Sequence, residues 1–158
     1  MTPAPVLRRT AQGIGAGVVA GLIGTAAMTV SSAVEARVRG RQASTAPAKA
    51  AERVLGIDRF ATTSAENRFS TLVHWGYGTG WGVARGVLGA AGLSPTAAAP
   101  VHFAAMWGGA AVMLPSLGVA PPITRWGSEE VAIDVFHHLV YEVGTGLAYA
   151  LLTNGRNP

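Results

Sequence analysis

Charge is nearly missing from four long stretches of this chain. Residues 13–34, 71–91, 97–119 and 131–152 each reach the roughly 20 apolar residues that a helix needs to cross a bilayer. Together they hold only three charged side chains, Arg85, Asp134 and Glu142. The 158 residues are enough for one domain and too few for two comfortable cores. Charged residues make up 13% of the chain, about half the usual share in a soluble domain. The expected fold class is therefore all-α, an integral membrane bundle of four transmembrane helices forming a single domain over 1–158. The first apolar run lacks a convincing small-residue cleavage site and reads as a span, not a signal peptide.

The basic residues sit between the spans. Arg8 and Arg9 precede the first, and Arg37, Arg39, Arg41, Lys49, Arg53, Arg59 and Arg68 fill the loop at 35–70. Arg125 lies in the third connection and Arg156 in the tail. The positive-inside rule then places the first and third loops in the cytoplasm and both termini outside, against the pull of Arg8 and Arg9. Although the isoelectric point is about 10.3, the apolar segments carry no basic face with interleaved aromatics, so nucleic acid is not an expected partner. The expected partners are the lipid bilayer and either a second copy or other membrane subunits. Within the basic loop, "PAKAAERVLG" reads as a short surface helix with Pro47 at its start and Gly56 as its stop, lying in solvent or against anionic head groups.

Small residues shape the first two spans. Gly13, Gly17, Gly21 and Thr25 recur at i+4, a ridge that brings helix backbones together in lipid. This predicts span one buried against a neighbour or a second copy, with homo-oligomerisation through the ridge. In span two, "HWGYGTGWG" at residues 74–82 alternates glycine with other residues. A dinucleotide loop fails, because the third glycine position falls on Trp81, Val83 or Arg85. A potassium filter lacks the preceding Thr-Val, and a lone strand leaves its backbone unpaired in lipid. A helix remains, with Gly78 and Gly82 on one packing face and Gly76 and Gly80 on another.

Span four carries a polar stripe. With Asp134 at zero on a helical wheel, Tyr141, Thr145, His138, Tyr149 and Glu142 fall in an arc from roughly −20° to +80°, and His137 lies near −60°. Val135, Phe136, Leu139, Val140, Val143, Leu147, Ala150 and Leu151 cover the other side. Buried ionisable groups are costly in a bilayer, so the stripe should face the bundle interior. On span two, His74, Gly78, Trp81 and Arg85 form its expected partner wall, and His102 lies on span three with Met106, Gly109 and Met113. The orientation places His74, Asp134, His138 and Glu35 in the inner half, Glu142 near the middle, and Arg85 and His102 in the outer half. Breakers divide the later chain: Ser94-Pro95 starts a helix, Pro100 and Pro115 bend it, and Ser128 is the expected N-cap of span four, with Trp126 as an interface anchor.

Three functions suit such an interior. A proton-linked or small-solute path uses histidine with carboxylate relays. A haem or metal site needs converging ligands, with His74, Asp134, His137 and His138 the only candidates. A structural network, in a subunit of a larger membrane complex, needs only mutual satisfaction of the buried groups.

Several motifs together resemble a known family. "GTAAMT" at residues 24–29, "HWGYGTGWG", "VHF" at 101–103, "LGVAPPITRWGSEE" at 117–130 and "HHLVYE" at 137–142 are similar to the YagU-like inner-membrane proteins of bacteria. The resemblance covers most of the chain outside the tails and the first loop, which is longer and more basic here. It implies a small polytopic protein of the cytoplasmic membrane, from a family without established chemistry and with no catalytic residues to carry over. Membrane stress tolerance joins the expected roles. Enzyme motifs such as His-Glu-x-x-His, Gly-x-Ser-x-Gly or a P-loop are missing from the sequence. No enzyme activity and no cofactor is expected.

Overall fold

The computed structural model describes residues 3–42 and 44–154, which form five α-helices and no strand. Arg156, counted in the charge tally, lies outside the described residues. Helix α1 spans Pro3–Arg39, α2 Ala46–Leu55, α3 Thr63–Ala90, α4 Pro95–Ser116 and α5 Ser128–Asn154, with a 3-10 turn at Ile123–Arg125. Each expected span maps onto one helix, although residues 117–119 of the third fall past the end of α4, and α1 and α3 begin well before their apolar segments. At 37 residues, α1 is about 55 Å long, against a hydrocarbon layer of about 30 Å. Its overhang takes in Arg8 and Arg9, which are helical and exposed.

Two helices, α1 and α4, are long and apolar enough to cross a membrane by length and composition. The expectation of four such spans is met only in part. Helix α3 includes Glu66, Arg68 and Arg85, and α5 includes Glu129, Glu130, Asp134 and Glu142. Those charges lower the average wherever their side chains point.

Local chemistry explains the helix ends. The Thr62 hydroxyl accepts the Ala65 N–H at 3.1 Å to start α3, and Ser94 accepts the Ala97 N–H at 3.3 Å to start α4 with Pro95 in its first turn. Gly56 closes α2 in the left-handed region at φ 67°, where a side chain is strained. One expected cap is wrong: α5 begins at Ser128 itself, and the Glu130 carboxylate reaches back to accept the Gly127 N–H at 3.0 Å. That is the returning half of a capping box, made without the serine.

Helix α1 is the packing centre, lying against both α3 and α5. Its ridge meets the glycines of α3 in antiparallel register, Gly13 against Gly86, Gly17 against Gly82, and Gly21 against Gly78 and Gly82. A Cβ on Gly21 would stand 2.8 Å from the Gly82 Cα, so the backbones touch. The ridge expected to recruit a second copy is thus filled by α3 of the same chain. Gly78 and Gly82 take their expected packing role. Gly76 and Gly80 do not: both are exposed and meet nothing. The small residues Ala20, Gly24 and Ala27 seat α5 on another side of α1, with Gly24 against Tyr141, Gly144 and Thr145. The outer surface is correspondingly apolar, with Val30, Val34, Val112, Phe136, Val143, Leu147 and Leu151 all exposed.

A buried polar centre as candidate functional site

The polar stripe of α5 points inward, as its wheel requires. His137, Tyr141, Glu142, Thr145 and Tyr149 are buried, while Phe136, Leu139, Val143 and Leu147 face out. Around the stripe stand α1, α3 and α4, each supplying different partners.

The centre is an ionisable pair between α4 and α5. His102 is 1% exposed and Glu142 6%, and His102 Nδ1 lies 2.5 Å from Glu142 Oε2. On its other side, His102 Nε2 donates to the Trp81 carbonyl of α3 at 2.8 Å. A carbonyl only accepts, so Nε2 carries a hydrogen. The contact at Nδ1 must then hold one further proton, as an imidazolium facing a carboxylate or as a neutral imidazole accepting from a carboxylic acid. Either way, two groups share one proton in a place shielded from water. The sequence placed His102 in the outer half and Glu142 near the middle, and the structure joins them. The rings of Trp81 and Tyr141 close over His102 at centroid distances of 5.9 and 6.2 Å, and buried Met106 lies one turn further along α4.

Arg85 occupies the next turn of α3. It is 2% exposed, and its guanidinium carbon lies 4.7 Å from the Tyr149 ring centroid, a cation–π contact. Among the described residues, its Nε and Nη1 have no hydrogen-bond partner, and the same holds for Glu142 Oε1 and Thr145 Oγ1. Tyrosines tie α5 to α3 on both sides of these groups: Tyr141 donates to the Gly78 carbonyl at 2.6 Å, and Tyr149 to the Gly86 carbonyl at 3.4 Å. Gly78 and Gly86 of the glycine seam supply these carbonyls, and Gly89 leaves room for the Tyr149 ring, which a side chain there would strike.

Other expected members go elsewhere. His74 does not turn to α5; its Nε2 donates to Thr29 Oγ1 of α1 at 2.8 Å, because that hydroxyl already donates to the Thr25 carbonyl. Asp134 accepts from Trp107 Nε1 of α4 at 2.8 Å, a partner the wheel gave no reason to choose. His138 Nδ1 donates to the Asp134 carbonyl one turn back. The proposed wall of His74, Trp81 and Arg85 facing Asp134, His138 and Glu142 is therefore not one surface. Only Trp81, through its carbonyl and ring, reaches the Glu142 pair by way of His102.

A second cluster lies where α1 emerges. His137 Nδ1 meets Ser31 Oγ at 2.6 Å, and its Nε2 stands 3.6 Å from the Glu35 carboxylate. Glu35 also holds Arg39 and Arg41, and Arg39 bridges to Glu129 of α5. The Glu35 carboxylate keeps the Arg41 guanidinium above its ordinary pKa. The metal candidates do not converge: His138 lies against Asp134, while His74 turns to Thr29 and His137 to Ser31 and Glu35. Among the described residues, no three His, Asp or Glu side chains are grouped to hold a metal ion.

Compared with family models, with curated proteins and with solved structures, the chain matches none.

Proposed function

We propose that the chain is a four-span protein of the bacterial cytoplasmic membrane, a YagU-like protein whose interior conducts protons or couples them to a small solute. The observation that carries this reading is the buried contact between His102 Nδ1 and Glu142 Oε2 inside a bundle with an apolar exterior. A structural ion pair needs no spare acceptors. Here Glu142 Oε1 and, about one turn along α5, Thr145 Oγ1 stand unpaired as acceptors, giving a proton somewhere to go. Membrane stress tolerance follows if such a path relaxes a proton gradient.

The four-span arrangement is supported by the outward apolar faces of α3 and α5: Arg85 and Glu142 are buried and Asp134 half-buried, while the exposed charges Glu66, Arg68, Glu129 and Glu130 cluster in the first turns. The basic first loop is then cytoplasmic. The test is proton movement in vesicles reconstituted with the whole chain and a trapped pH dye. We expect acidification driven by an imposed gradient, lost in Glu142→Gln and in His102→Gln. Absence of movement in the natural chain, or its persistence in both variants, removes the reading. A large stability loss without any flux favours the structural network instead.

A further inference from the structure

The first turns of α3 form a surface feature that the polar centre does not use. Ser64, Asn67, Arg68 and Thr71 line one wall region of an open groove of about 690 Å³, which continues over Leu72 and Trp75. Its chemistry changes along its length: hydroxyl, amide and guanidinium groups come first, then an aliphatic and an indole side chain. Leu72 is 72% exposed, an unusual position for leucine beside a cation in water and an ordinary one at the edge of a lipid leaflet. From Thr63 to Trp75 is twelve residues, about 18 Å of helix. That is close to the depth of one leaflet's head group and upper acyl region.

We infer that this groove binds one anionic phospholipid, its phosphate on Arg68 with Ser64, Asn67 and Thr71, and its acyl chain along Leu72 and Trp75. The inference rests on the membrane-spanning reading above. Charge complementarity selects the occupant. Residues 35–70 carry seven Lys or Arg against four Asp or Glu, and among the described residues no carboxylate pairs with Arg68. Helix α2 packs against α3 and leaves Lys49, Arg53, Val54 and Leu55 exposed, a further basic and apolar surface. A second copy would bring an equally basic loop and is disfavoured by repulsion. Trp75 sits where indoles settle at membrane interfaces.

The test uses the whole chain in phosphatidylcholine vesicles containing a minor fraction of lipid brominated on its acyl chains. Brominated phosphatidylglycerol should quench tryptophan fluorescence more than brominated phosphatidylcholine at equal mole fraction. Trp75→Phe should remove that excess, Arg68→Gln should lower the preference at least threefold, and Arg68→Lys should retain most of it. Equal quenching by the two lipids, or an unchanged preference in Arg68→Gln, overturns the groove. So does an excess that appears only at high protein-to-lipid ratio, which assigns the face to a second copy. Carbonate extraction separates the two readings: a chain that stays in the vesicles without lipid preference loses only the groove, whereas a chain that is extracted loses the spanning reading as well.

Discussion

The seam between α1 and α3 and the seam between α4 and α5 solve the same packing problem by opposite means. The first brings backbones into contact through Gly13, Gly17, Gly21, Gly78, Gly82 and Gly86. The second holds helices apart with side chains and joins them through His102 with Glu142 and Trp107 with Asp134. Where apolar burial cannot drive association, as in lipid, close van der Waals contact and interhelical hydrogen bonds are what remain. The difference teaches a division of labour. The glycine seam fixes geometry through backbone contact and carries a titratable side chain only at its end, His74 against Thr29, whereas the polar seam spends stability on a pair of groups that can exchange protons.

Breaking the polar seam should have the largest effect. His102→Ala leaves Glu142 buried without its partner, an expected cost of about 3–5 kcal/mol in denaturant unfolding of the detergent-solubilised chain. A cost under about 1 kcal/mol would mean that water reaches Glu142, and the two seams would then differ less than described. The glycine seam comes next. Gly82→Ala puts a Cβ into the Gly17 carbonyl and the Gly21 backbone, which cannot move aside. A loss of about 1–3 kcal/mol is expected in the same assay. Gly80→Ala, two residues away and facing outward, should stay within about 0.5 kcal/mol and is the internal control. Trp107→Phe removes the hydrogen bond to Asp134 along with part of the ring stacked on Phe103 and should cost about 0.5–1.5 kcal/mol, which sharpens the contrast between the centre of the polar seam and its edge.

How much of this was legible before the structure depends on whether the signal was local. The i+4 ridge of α1 and the stripe of α5 are properties of single helices; the ridge is buried as read, and the stripe is buried from His137 to Tyr149 with Asp134 and His138 half-buried at its edge. Pairing across helices depends on axial offset and rotation, which periodicity within one helix does not carry. His74 went to Thr29 because α1, not α5, lies against that face of α3. His102 met Glu142 across an axial offset between α4 and α5 that depth counted along each segment separately does not carry. The alternating glycines of residues 74–82 misled in a simple way: a helix turns Gly78 and Gly82 inward and leaves Gly76 and Gly80 outside. Trp107 escaped notice because an indole N–H seeking a carboxylate leaves no spacing signal in the sequence.

The same contrast explains why α1 and α4 have the length and apolarity of membrane spans while α3 and α5 fall short. The latter pair contributes the charged members of the centre, Arg85 and Glu142, along with Tyr141 and Tyr149. Composition counts those groups whether or not they face inward. Whether α3 and α5 cross the bilayer with α1 and α4 is the question on which the shared-proton reading stands. The chain has no cysteine, so single cysteines report cleanly. The most direct measurement is labelling of Asp58→Cys, Ala91→Cys and Pro121→Cys in intact cells with a membrane-impermeant thiol reagent. Four spans predict that Ala91→Cys reacts from the outside while Asp58→Cys and Pro121→Cys are protected until the membrane is opened. Labelling of Asp58→Cys and Ala91→Cys from the same side would contradict the account, leaving α3 outside the bilayer and its buried arginine without a membrane role.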